Sequence, residues 1–162
     1  MPTTIRLATS LDIERIAEIE SQGFPVEEAA TLPIFQRRFN AFPECFFVLE
    51  KNNQIVGQIN GCRYSAPELP DILYEDEHQH LKEGAYQTVF GLVIAPDFQH
   101  QGLAHQLLEH FITVSKERGV KGLVLTCKDK LVGFYEQHGF VCQGVSDSTH
   151  GGAVWNDMLL NF

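Results

Sequence analysis

"IAPDFQHQGLAHQLL", residues 94–108, decides how the rest of the chain is read. An apolar run ends at Pro96 and a short polar stretch follows. From Gly102 the apolar residues Leu103, Leu107, Leu108, Phe111 and Val114 recur at helical spacing. A helix has no internal acceptors for its first N–H groups, so a strand that turns directly into one presents them as free donors. Those donors and the positive end of the helix dipole hold an anion without a charged side chain. The stretch contains neither Arg nor Lys, so a phosphate bound here rests on backbone groups. Gly102 permits close approach because it lacks a Cβ, and Ala104 keeps the next turn small. A strand, turn and helix that merely pack fit the same letters, and the stretch alone leaves the two readings level.

Working outward, "YQTVFGLVIAP" (86–96) reads as one near-continuous apolar strand, covered on both faces. Residues 3–8 read as a first strand. A helix follows, with Thr9 and Asp12 resembling a capping box and Ile13, Ile16, Ala17 and Glu20 on one face. A second helical region puts Leu32, Phe35 and Phe39 together. "CFFVLEKNNQIVGQINGCRYS" (45–65) predicts a hairpin turning at Asn52–Asn53. Residues 65–84 form a long acidic connection. Beyond the helix from Gly102 come a strand at 121–127, a short helix closed by Gly139, a strand at 140–146 and a last one from 151. The order predicts a single α/β domain over 1–162, with one mixed, largely antiparallel central sheet flanked by helices.

Composition bounds the function. The length of 162 residues with 44 % hydrophobic content suits a domain that closes its own core. A formal charge of −9 argues against nucleic acid, whose binding needs Lys and Arg to neutralise phosphates. No apolar run approaches the roughly 18 residues of a membrane span. "MPTTIRLATS" has no apolar signal core, so a cytoplasmic location is expected. Cys45, Cys62, Cys127 and Cys142 are widely spaced and read as buried reduced thiols, and no His or carboxylate pattern suggests a metal.

"VIAPDFQHQGLA" resembles the acetyl-CoA signature of the GCN5-related N-acetyltransferases, Q/R-x-x-G-x-G/A, carried here by Gln99, Gly102 and Ala104. "GFYEQHGF" (133–140) is similar to the family's second recurrent segment, about 30 residues downstream. "GFPVEEAATLPIFQRRFNAFPECFFV", "CKDKLVGFYEQHGF" and "GGAVWNDM" most resemble the arylalkylamine (serotonin-type) branch and its microbial relatives. The resemblance implies the GNAT fold, acetyl-CoA as donor and a small primary amine as acceptor, with no metal. It implies that Leu92, Val93 and Ile94 bind the pantetheine arm like an added strand and that Phe134 packs beside it. The pyrophosphate would sit on the N–H groups of Gln99, His100, Gln101, Gly102, Leu103 and Ala104.

Acetyl transfer to an amine needs a proton removed from nitrogen, an oxyanion stabilised and a proton given to the departing thiolate. The resemblance makes Tyr135 the general acid and puts the oxyanion near the Leu92 N–H. In vertebrate enzymes of the branch two His serve the base; Thr88 and Phe90 stand at those positions, so no base is assigned. Residues 24–31 and the 64–84 loop are expected to set specificity. A peptide or protein amine as acceptor, or a non-catalytic acyl-CoA-binding module, are the alternatives. Neither the physiological amine nor the oligomeric state is legible.

Overall fold

The computed structural model describes residues 2–162. Its strands are β1 (Thr3–Leu7), β2 (Phe46–Lys51), β3 (Gln54–Asn60), β4 (Arg63–Tyr64), β5 (Tyr86–Val89), β6 (Gly91–Ile94), β7 (Gly122–Cys127), β8 (Val141–Val145) and β9 (Asn156–Asn161). Its α-helices are α1 (Ile13–Gly23), α2 (Leu32–Ala41), α3 (Ile72–Glu75), α4 (Leu103–Glu117) and α5 (Val132–Glu136). No described helix is long and apolar enough to cross a membrane. The chain divides into two compact units, the first running to Gly61 and again over Gly91–Phe111, the second over Cys62–Phe90 and Ile112–Phe162.

The first unit is built on an antiparallel sheet in the order β1-β2-β3-β6. The β2–β3 hairpin turns where expected: Asn52 and Asn53 take φ of 56° and 61°, the paired positive values that a two-residue turn demands. Ile13, Ile16, Ile19 and Glu20 form the buried face of α1. Before that helix, the Asp12 carboxylate accepts from the Thr9 N–H at 2.7 Å and from the Arg6 guanidinium at 2.7 Å. At its other end α1 comes close to β6. A Cβ added to Gly23 would stand 2.4 Å from Val93 Cγ1, closer than packed carbons allow.

The second unit carries a five-stranded sheet, β4-β5-β7-β9-β8, in which only β5 and β7 run parallel. Leu123, Val124 and Leu125 make β7 its buried centre. The 64–84 connection is not irregular throughout: it contains α3 and a 3-10 turn at Glu77–Gln79.

The α/β class with largely antiparallel pairing stands, but there are two sheets rather than one. The single strand expected over 86–96 is two strands in different sheets. β5 has partners on both sides, β4 and β7, whereas among the described residues β6 pairs with β3 alone, so the chain changes sheets at Phe90. Alternation of apolar residues carries no mark of such a change. The last strand begins at Asn156 rather than 151, because Gly151 and Gly152 take φ of 62° and 73° in a 3-10 turn. Cys45, Cys62 and Cys127 are buried as expected; Cys142 is exposed on β8.

Candidate active site

In the first unit, β6 is an edge strand, and its alternation fixes which groups it offers. The Ala95 N–H donates to Val56 O at 2.7 Å. Counting back through the register, the backbone groups of Val93 and Gly91 turn toward β3, and those of Leu92 and Ile94 toward the unpaired edge. Of the three residues expected to bind pantetheine, Val93 therefore differs: its backbone belongs to the β3 ladder and its side chain is buried beside Gly23. The Ile94 carbonyl accepts from the Gln99 side-chain amide at 3.1 Å, which ties the following turn to the strand.

The turn places its donors by two left-handed residues, His100 at φ 63° and Gly102 at φ 79°. His100, Gln101 and Gly102 are exposed. The first helical bond of α4 runs from the Gln106 N–H to Gly102 O at 3.2 Å, so the N–H groups of Leu103, Ala104 and His105 precede the ladder. The Gln99 N–H faces Pro96 O at 3.4 Å and is already engaged. A Cβ on Gly102 would meet nothing within 4 Å: the space above the turn is open. One cation does stand here. Lys51, at the end of β2, reaches the Gln101 side-chain oxygen at 2.5 Å. Sequence reading missed it because the hairpin brings it across a separation of 50 residues.

In the second unit, Tyr135 lies on α5, 7 % exposed, with its ring edge-on to Phe140 at 5.5 Å. Burial, and then Cys127 and Tyr74, raise its phenol above the ordinary value of 10, so it keeps its proton at neutral pH. No hydrogen bond to a described residue occupies its hydroxyl. Phe134 is half-buried, its ring tilted on His138 at 5.3 Å. Burial, Cys142 and Asp129 push the Cys127 thiol up to about 12, which keeps it from acting as a thiolate nucleophile at neutral pH.

The second unit explains why Thr88 and Phe90 take no proton. The Thr88 hydroxyl is fully buried, accepting from the Cys62 N–H at 3.0 Å and donating to Cys62 O at 2.9 Å. Phe90 packs on Tyr74 at 4.9 Å. Residues of the neighbouring 64–84 loop have structural duties. His80 Nδ1 accepts from the Arg63 N–H at 3.0 Å. The Asp76 carboxylate caps the 3-10 turn, accepting from the Gln79 amide at 3.1 Å and the His78 N–H at 2.9 Å, bonds that hold it below the usual carboxylate range. Donor atoms of Asp76, Glu77 and His78 do come within 4.8 Å of one another on that surface turn.

A buried carboxylate in the first unit, legible in sequence only as part of a helix face, has a larger place in the structure. Glu20 is 6 % exposed and accepts from the Ala30 N–H at 2.9 Å and from Gln58 Nε2 at 3.2 Å. Gln58 Oε1 in turn accepts from Asn60 Nδ2 at 2.8 Å. Burial drives the Glu20 carboxyl up to about 7, against the lowering effects of the Ala30 N–H, the Arg38 charge and Gln58. The signal was present in the sequence: Glu20 is the one carboxylate among Ile13, Ile16 and Ala17 on the inward face of α1.

Residues 13–140 match the model of the acetyltransferase (GNAT) family. Among curated proteins, the chain is 39 % identical over 56 residues to the [ribosomal protein bS18]-alanine N-acetyltransferase of Escherichia coli (strain K12). That match covers 33 % of this chain and only 38 % of the relative's length. Among solved structures, the loading GNATL domain of CurA from Lyngbya majuscula superposes with a TM-score of 0.85 at 17 % identity, covering 99 % of this chain and 98 % of that one. The ribosomal-protein-S18-alanine N-acetyltransferase from Escherichia coli gives 0.74 at 22 %, covering 99 % and 94 %. At these identities the structures speak to the fold alone.

Proposed function

Because the chain belongs to the acetyltransferase (GNAT) family, we propose that it is an N-acetyltransferase that moves the acetyl group of acetyl-CoA to a primary amine, with an arylalkylamine as acceptor. The observation that carries this reading is the unpaired edge of β6 leading, through a 3-10 turn at Pro96–Phe98, into an exposed, left-handed turn at the head of α4. Bound acetyl-CoA supplies the acetyl group already activated as a thioester. Leu92 and Ile94 hold the pantetheine arm by backbone hydrogen bonds, as a further strand would. The N–H groups of His100 through Ala104 hold the pyrophosphate, and Lys51 adds the positive charge that the turn lacks. The space that a Cβ on Gly102 would enter is open, so a phosphate oxygen can approach the turn there.

The Leu92 N–H meets the carbonyl oxygen as it gains charge. Tyr135 gives its proton to the departing sulfur, a role suited to a phenol that stays protonated at neutral pH and has no competing hydrogen-bond partner among the described residues. Phe134 lines the pantetheine arm. The enzyme acts as a single domain over 1–162 in the cytoplasm, where four free cysteines are at home.

Support for an aromatic amine comes from the second unit. Tyr74, Phe90, His150 and Trp155 form one cluster, with Tyr74 stacked on His150 at 4.9 Å and His150 5.9 Å from Trp155. A peptide amine is the second reading, favoured by the name of the 39 % identical relative. Free-thiol release from acetyl-CoA across tyramine, phenethylamine, tryptamine, spermidine and an alanine-initiated peptide separates the two. Aromatic amines are expected to lead; turnover confined to the peptide would move the acceptor to protein N-termini. CoA binding without any turnover would make the chain a non-catalytic acyl-CoA-binding module.

A further inference from the structure

The proposed reaction leaves one proton without a destination, the one that the acceptor ammonium must lose before its nitrogen attacks. An alkylammonium of pKa near 10.4 is about 0.04 % neutral at pH 7, so this step needs a base. The two positions where the branch places histidines are occupied by a buried structural hydroxyl and an aromatic ring.

We propose that Glu20 is that base: its carboxylate receives the acceptor's ammonium beside Gly91 and takes a proton from it. The inference rests on the N-acetyltransferase reading and goes beyond it by naming the residue that reading lacks. Three observations place Glu20 there. First, a Cβ built on Gly91 would lie 3.2 Å from Glu20 Oε1, so it is the bare Cα of Gly91 that lets the carboxylate pack against the start of β6, one residue before Leu92. Second, Phe24 Cε2 lies 3.7 Å from the same point, so the Phe24 ring borders it. Third, the network behind Glu20 is incomplete. Asn60, 1 % exposed and opposite Gly91 in the ladder, has an Oδ1 that accepts no hydrogen bond among the described residues. A buried polar atom left unpaired costs stability, and an ammonium group or a water brought by one supplies the donor it lacks.

The surroundings suit a proton acceptor. The groups facing Glu20 from β3 and the 24–31 segment are neutral: Gln58, Asn60 and the Ala30 N–H. Gly91 of β6 brings no side chain, and the charge acting on Glu20 is that of Arg38 on α2. Glu20 titrates at about 7, which balances the fraction ionised at neutral pH against basicity. In the step itself an N–H bond of the ammonium breaks and an O–H bond forms on Glu20. The neutral nitrogen then bonds to the acetyl carbon as the C–S bond breaks, and Tyr135 protonates the sulfur. The second amine proton restores Tyr135, and Glu20 later returns its own to solvent.

The test compares wild type, Glu20→Gln and Glu20→Asp in the full chain, with tyramine as acceptor. For wild type, kcat/KM should rise with pH through a limb near 7. Glu20→Gln should lower kcat/KM at pH 7 by about 100-fold and abolish that limb, and Glu20→Asp should restore part of the rate. CoA affinity, measured by calorimetry, should be the same in all three, which separates lost chemistry from misfolding. A Gln variant that keeps the wild-type rate and pH limb overturns the assignment while leaving N-acetyl transfer intact. If wild type turns over no amine, the parent reading fails. Glu20 is then judged by tyramine binding to the CoA complex: about a tenfold loss in the Gln variant supports it, and equal or absent binding overturns it.

Discussion

Replacing Glu20 by Gln should change the pH dependence of folding stability more than its value at any one pH. The carboxyl titrates near its ordinary value of 4.5 when unfolded and at about 7 when folded. A raised carboxylate pKa means that the fold disfavours the ionised form. The penalty is absent well below pH 4.5, grows between 4.5 and 7, and is complete above 7. Linkage makes it about 3 kcal/mol at pH 8 and under about 1 kcal/mol at pH 5. The Gln side chain carries no such charge. It can keep the Ala30 N–H bond, donate to Gln58 if that amide turns over, and let a turned Asn60 amide accept in its place. Urea unfolding of both proteins at pH 5 and pH 8 reads the effect. The stability of Glu20→Gln relative to wild type should improve by about 2–3 kcal/mol between the two conditions, since every other titrating group cancels in the comparison. A difference that stays constant from pH 5 to pH 8 would show that Glu20 is not held in the low-dielectric, weakly compensated setting described here.

Other expectations concern the turn, the strand edge and the acid. Gly102→Ala puts a Cβ on a residue at φ 79°, so thermal denaturation should show a loss of about 1 kcal/mol even though nothing crowds the new methyl group. Gly23→Ala should cost about 1–3 kcal/mol by forcing α1 off β6, with much of the loss recovered when Val93→Ala is added. Lys51→Met should weaken CoA binding in calorimetry at low salt and flatten its salt dependence, because the cation beside Gln101 is removed. Tyr135→Phe should lower kcat by about 100-fold in a thiol-release assay with CoA affinity unchanged.

The sequence was most informative where one local rule governs. Asn52–Asn53 specify a turn that few other pairs make, and the apolar spacing from Leu103 specifies α4. The two motifs around Gly102 and Tyr135 led to the family, and the family to the fold. Less legible was anything decided by partners. Nothing in "YQTVFGLVIAP" tells that Val89 belongs to one sheet and Gly91 to another, because pairing is chosen by distant strands. Lys51 reaches the turn at Gln101 only through the hairpin. Glu20 was read as part of an amphipathic face; its meaning depends on Gln58, Asn60 and Gly91, each far away in the chain.

The most direct test of N-acetyl transfer is product identification. The full chain would be incubated with acetyl-CoA labelled in the acetyl group and with tyramine, followed by mass spectrometry and thiol counting. One labelled N-acetyl product per free thiol is the predicted result. Thiol released without an N-acetylated amine, or acetyl-CoA bound and left intact, would contradict it.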